Sequence, residues 1–404
     1  MKNFDFTTKD LKIKNIVLSV FFLLSSYNFV KGFNFLYNYN IYGGHEWYTA
    51  EWLINYNYGF IRRGLFGTFI LNLPLSPQIT LIFLTVFLSL IYLGYIITVC
   101  LIYLRNDQNF YSHLILFSPA FLLFHSSNPE AIFRKELIGL LSLALFSFNY
   151  VAKNKKIILS LSYILFVVAI FSAEYNLYFV PLVIYLMKRK QEENIVLFST
   201  LISIPIFIYF YLYVNSIDTA LNAKLICTGL KELNYHQNIC VGAIDWLGLS
   251  ITETYNRTTH FYDSQYYYYL YYFLVGIGPL ILSRSINKNK ILFLLYIFLF
   301  IPLFIVSIDW GRHIFMLVSI FSILQFSEDK ENKKFSTSML YFTLLFLILF
   351  YIPYWEGSIA SNPLFSFKSN NLLGIFSINE WKTFFTDFIG RSIQIFKIII
   401  SLFV

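Results

Sequence analysis

The chain is 404 residues long, 57% apolar and 13% charged, with a mean hydropathy of +0.62; a soluble domain carries about 25% charged residues, so an ordinary soluble chain is excluded. Its formal net charge of +8 acquires meaning only once the basic residues are placed relative to a bilayer, and it is not read as a nucleic-acid footprint. Aromatic residues reach 21%, an excess discounted in part because Ile, Asn and Lys are also abundant.

The first apolar segment, Ile16 to Phe33, follows Lys2, Lys9, Lys12 and Lys14 and is not followed by a small-x-small cleavage site. It is expected to remain as an uncleaved helix with its N-terminus in the cytoplasm. Further apolar segments run over Ile79 to Leu104, Ser112 to His125, Glu136 to Ala152, Ile157 to Ser172, Tyr175 to Met187, Asn194 to Val214, Tyr266 to Ser283, Ile291 to Ser307, His313 to Phe326 and Leu340 to Tyr354. The fold class expected is therefore all-α, a polytopic integral membrane protein of about 11 transmembrane helices, or about 12 if Phe388 to Val404 crosses. Threading them alternately puts Arg105, Lys153 with Lys155 and Lys156, Lys188 to Lys190, Arg284 with Lys288 and Lys290, and Lys330 with Lys333 and Lys334 on the N-terminal side, as the positive-inside rule asks.

Two stretches are too irregular for simple spans. Ile157 to Met187 would extend about 46 Å as one helix, against a hydrocarbon core of about 30 Å. A short re-entrant hairpin with its apex at Ser172, Ala173 and Glu174 resolves this, and Glu174 then lines a cavity. The segment from Arg105 to Lys153 repeats the pattern around SSNPEAIFRKE. The outer loops are expected at 34–77, 215–265 and 355–387, within one membrane domain, 1–404, that shows no repeat or linker.

The first outer loop places His45, Glu46 and Glu51 before the adjacent pair Arg62 and Arg63. Two guanidiniums on the outer side can hold a phosphate or diphosphate bidentately, each charge-assisted bond contributing about 1.5–3 kcal/mol; equally, they can anchor the loop by pairing with Glu46 and Glu51. GLFGTFILNL after the pair reads as an interfacial or re-entrant helix. Arg134, beside Lys135 and Glu136, is placed to share the same anion, as is Arg312 in DWGRHI, where Asp309 and His313 accompany it. Asp309 and Arg312 at i, i+3 also suit a simple local pair.

Cys227 and Cys240 lie in one outer loop and are expected to form a disulfide if that side is oxidising; Cys100, inside a helix, reads as an inert thiol. Arg257 of the same loop is a candidate substrate contact, and the Tyr-rich run QYYYYLYY reads as an interfacial belt, with sugar stacking as the alternative. No GxxxxGKS, GxGxxG, HExxH, CxxC or GxSxG pattern is present, so a nucleotide-driven pump, a zinc protease and a serine hydrolase lack support.

EWLINYNYGFIRRGLFG, the cysteine segment ICTGL…NICVGAIDWL and DWGRHI, set in this architecture, resemble the Wzy-type O-antigen or capsule polysaccharide polymerases and the related GT-C-like membrane glycosyltransferases. The resemblance implies a bacterial inner-membrane enzyme that joins oligosaccharide units carried on undecaprenyl diphosphate at the outer face. It implies phosphate-binding roles for Arg62, Arg63, Arg134 and Arg312, and substrate contacts from Asp309, His313 and Arg257. A carboxylate serves as base, Glu51 or Glu46 first, with His45 and Glu174 behind them. The partners implied are the lipid-linked oligosaccharide, membrane lipid and a chain-length regulator, with no nucleic acid; no cofactor is called for, and a divalent metal stays open. A GT-C enzyme adding one sugar from a polyprenyl-phosphate donor, a flippase or transporter, and a structural membrane subunit are the alternatives.

Overall fold

A computed structural model of the protein describes residues 8–105, 110–151, 156–189, 195–214, 218–259, 267–282 and 289–327, with isolated positions beyond, among them Phe350 and 352–354. Among the described residues the secondary structure is helical, with no strand. The loop expected at 355–387, the C-terminal segment from 388 and most of Leu340 to Tyr354 lie outside the described residues.

Helix α1 (Thr8–Ile41) and helix α4 (Pro77–Arg105) are long and apolar enough to cross a membrane, α1 over Asn15–Ile41. Four further helices are apolar but shorter. Helix α1 runs well past Phe33 through the Asn-rich stretch that the sequence suggests is loop. Tertiary contact overrides local propensity there: the Asn40 amide donates to Leu81 O at 3.0 Å and Thr85 Oγ1 at 2.8 Å on α4, and Phe33 stacks on Tyr37 one turn on.

Helices α2 (Ala50–Leu53) and α3 (Leu65–Leu71) fold the intervening loop back onto the body. The single helix expected over Ser112 to His125 is instead α5 (Phe110–Leu116), a turn, and α6 (Phe124–Ser127). Pro119 has no N–H to donate and disfavours helix at the residue before it. Ser118 leaves the helix and donates to Gly276 O at 2.7 Å.

After a 3-10 turn (Pro129–Phe133) come α7 (Glu136–Val151) and α8 (Lys156–Ser172), then a second 3-10 turn (Glu174–Phe179) and α9 (Val180–Arg189). The chain breaks at Ala173, which is extended, as the hairpin reading expects. Helices α10 (Ile195–Val214), α11 (Thr219–Glu232), α12 (Ala243–Leu247), α13 (Ile251–Thr259), α14 (Tyr267–Leu282), α15 (Lys290–Val306) and α16 (Trp310–Ser327) complete the described chain.

Helices α7 and α16 form the centre. Almost every described α7 side chain and every one of α16 is buried, Glu136, Arg312 and His313 included, and α7 packs against α4, α8 and α16. By contrast α10 and α15 leave Ile204, Phe207, Phe210, Ile291, Leu294, Phe298 and Ile301 exposed. Apolar belts of that extent mark a surface that meets something other than water.

Candidate functional site

The first loop is fixed before its charges are placed. Thr49 Oγ1 donates to Asn40 Oδ1 at 2.6 Å, Trp52 Nε1 donates to Phe133 O at 2.7 Å, and Tyr56 N donates to Thr68 Oγ1 at 2.7 Å. The chain then turns sharply at Arg63, whose φ of 72° is the left-handed region that non-glycine residues seldom occupy and that costs about 1–3 kcal/mol. Lys135 Nζ donates to Arg63 O at 2.7 Å and helps hold that turn. Strain retained at an arginine, where glycine would relieve it, argues that the side chain's direction matters.

Arg63 clamps Glu174 with Nε to Oε2 at 2.9 Å and Nη2 to Oε1 at 2.6 Å, and its Nη1 reaches Glu51 Oε1 at 3.3 Å. The other oxygen of Glu51 lies 3.3 Å from Arg134 Nη1, while Tyr175 Oη donates to Oε1 at 2.9 Å. Arg312 makes a second bidentate clamp, on Glu136, at 2.6 and 2.7 Å, and its Nη1 lies 3.4 Å from Asp309 Oδ2. The Tyr175 ring sits between two guanidiniums, with Arg63 Cζ at 5.2 Å and Arg312 Cζ at 4.6 Å from its centroid. Arg62 is held loosely, its Nη1 lying 3.7 Å from Glu174 Oε1 with 30% of its side chain exposed, and Arg134 Nε has no hydrogen-bond partner among the described residues.

Burial by itself pushes the Glu51 carboxyl up, but Arg134, Arg63 and Arg312 together outweigh it and hold it at about 2. Glu174 is balanced the same way, by burial against Arg63 and Arg62, and also falls to about 2. Both are therefore anions at neutral pH. Burial lowers Lys135 to about 7, with Glu51 opposing that shift. His45 drops to about 4 through burial and then through Arg134.

Glu174 and the four arginines border a cavity of about 1300 Å³. Arg62, Arg63, Arg134, Arg312, Glu174, Asp309, His313, Tyr175 and Tyr354 line it, as do Glu46, Trp47 and Trp246, and Leu177, Val180, Pro181, Ile206, Phe210, Leu299 and Leu303 supply an apolar wall from α9, α10, α15 and the turn before α9. Thus the four arginines named from the sequence share one hollow. Among the described residues no group of three or more His, Cys, Asp or Glu side chains is placed to hold a metal ion.

The carboxylates divide in a way the sequence does not announce. Glu51 is 0% exposed and lies behind Arg63 and Arg134, off the cavity surface, so a role in proton transfer to substrate does not suit it and a positioning role does. His45 packs among Phe35, Tyr39 and Tyr48, and its Nδ1 accepts from Trp47 N at 3.0 Å; it does not line the cavity either. Glu46 and Asp309 do. Arg257 is separate from the arginine cluster, paired with Asp245 at 3.4 Å. Cys227 and Cys240 are disulfide-bonded, with a Cα separation of 5.7 Å, and Cys100 is free and buried.

Sequence reasoning passed over Lys135 and Glu136 as site residues, together with Tyr175 and the two tryptophans. The available signal was FRKE standing between two apolar runs, since charges at such positions require partners. No protein-family model matches the chain, and neither the curated proteins nor the solved structures compared with it show a significant similarity.

Proposed function

We propose that the protein is a polytopic membrane glycosyltransferase that uses a polyprenyl diphosphate-linked saccharide, and that its natural reaction joins repeat units of a bacterial surface polysaccharide. One observation carries this reading: a single cavity joins an arginine cluster to an apolar wall. A phosphorylated isoprenoid is an anionic headgroup on a hydrocarbon chain, and its two parts match those two surfaces. The exposed apolar faces of α10 and α15, two of the helices that supply the wall, suit lateral entry from a bilayer. The basic clusters Lys153 to Lys156, Lys188 to Lys190 and Arg284 to Lys290 favour a cytoplasmic N-terminus, and the Cys227–Cys240 disulfide favours an oxidising compartment for the opposite side.

In this reading Arg62, loosely held and 30% exposed, donates to the diphosphate, while Glu51, Glu136 and Glu174 hold the remaining guanidiniums in position. An acceptor hydroxyl attacks the donor's anomeric carbon, the carbon–oxygen bond to the diphosphate breaks, and the leaving group takes the bonding pair. The hydroxyl proton passes to Asp309. That carboxylate lines the cavity, is 25% exposed and, among the described residues, makes only long ion-pair contacts, 3.4 Å to Arg312 and 3.9 Å to Arg134, so it has lone pairs to spare. Glu46 is the second carboxylate on the cavity surface.

Asp309→Asn should lower transfer about 10²- to 10⁴-fold in purified protein reconstituted in nanodiscs, with undecaprenyl diphosphate still bound. Full activity in that variant removes Asp309 as base; loss of lipid binding on Arg62→Ala is required if the arginines hold the headgroup. Product length decides the reaction, because ladders mean polymerisation and one added sugar means the GT-C alternative.

A further inference from the structure

The cavity also carries two tryptophans to which the headgroup reading gives no part. Trp47 and Trp246 both line it, both are half-buried, and their ring centroids lie 5.6 Å apart in an edge-to-face arrangement of 63°. They come from segments far apart in sequence that are deliberately joined. Ala243 N donates to Glu46 O at 2.9 Å, and Gly242 approaches the Glu46 carbonyl so closely that a side chain there would collide with it. The disulfide ties α11 to the turn before α12, so Trp246 sits on a braced element.

Polar groups surround these rings. Arg257 Cζ lies 5.7 Å from the Trp246 centroid and pairs with Asp245 at 3.4 Å. Glu46, next to Trp47 in the chain, also lines the cavity and makes no ion pair among the described residues. A half-buried indole offers a flat apolar face of the kind that meets the C–H face of a pyranose, while neighbouring carboxylates and guanidiniums take the hydroxyls around the sugar's rim.

Resting on the glycosyltransferase reading above, we infer that Trp47 and Trp246, with Glu46 beside them, form an acceptor-saccharide subsite, separate from the diphosphate site, that binds sugar rings without any need for phosphate or lipid. Trp246 then governs acceptor affinity and leaves the grip on the donor headgroup unchanged.

The test uses the full chain in nanodiscs and a panel of free, unphosphorylated oligosaccharides of hexose and N-acetylhexosamine types, read by saturation-transfer NMR and calorimetry, with undecaprenyl diphosphate binding measured in parallel. Binding of at least one saccharide is expected, weakened tenfold or more by Trp246→Ala and less by Trp246→Phe, with undecaprenyl diphosphate affinity within twofold of the parent. Alkylation of Cys227 and Cys240 only after reduction confirms that each variant keeps its fold. If no saccharide binds, or if binding survives both Trp246→Ala and Trp47→Ala, the subsite is wrong. Retained undecaprenyl diphosphate binding would then leave the glycosyltransferase reading standing, whereas loss of lipid binding in the parent protein would overturn that reading instead.

Discussion

Glu51→Gln tests whether the arginine cluster is held from behind. The substitution preserves size and an acceptor for Tyr175 Oη, which lies 2.9 Å away, but removes the negative charge between Arg63 and Arg134, each 3.3 Å from it. The carboxyl moves from 4.5 to about 2 on folding, which at 1.36 kcal/mol per pH unit corresponds to about 3 kcal/mol of stability at neutral pH. That agrees with the about 3–5 kcal/mol expected when one member of a buried ion pair is lost. Because the folded value is depressed, the contribution is complete above about 4.5 and is lost as pH falls through about 2. Thermal unfolding in nanodiscs should show the variant melting on the order of 5 °C lower at pH 7, with the gap to the parent narrowing as pH falls from about 4.5 towards 2. A residue acting only as a base would lose rate and keep stability. Equal melting temperatures at pH 7, or a gap that does not change with pH, would refute the positioning role.

The Arg312–Glu136 clamp gives an independent check. Its side chains are 6% and 1% exposed, so Arg312→Met alone should destabilise by about 3–5 kcal/mol, and Arg312→Met with Glu136→Met should recover most of that loss in a double-mutant cycle; a double variant no better than the single would show that the charges act through other partners. Cys227→Ser should remove about 3 kcal/mol for a loop of this length, seen as earlier proteolysis within 219–247, and untreated parent protein should take up thiol reagent at neither Cys227 nor Cys240. Gly67→Ala drives a side chain into the carbonyl of Ile54 and should cost about 1–3 kcal/mol, with weaker undecaprenyl diphosphate binding because α3 follows directly on the Arg63 turn.

The arginine cluster was legible in the sequence. Arginines at 62, 63, 134 and 312 stand out because charge in an otherwise apolar chain must be paired or functional, and the pairing of Cys227 with Cys240 follows from their shared loop. Helices α4, α7 and α15 follow from apolar runs bounded by polar residues. Other features depend on contacts between residues far apart in the chain. Asn40 holds the end of α1 helical through α4, Pro119 splits a run whose hydropathy suggests one span, and Trp47 meets Trp246 where Ala243 N bonds to the Glu46 carbonyl and Gly242 packs against it. Composition cannot rank the carboxylates, since Glu51 and Asp309 are equally acidic as letters. Only packing puts Glu51 behind the guanidiniums, between Arg63 and Arg134, and Asp309 on the cavity surface.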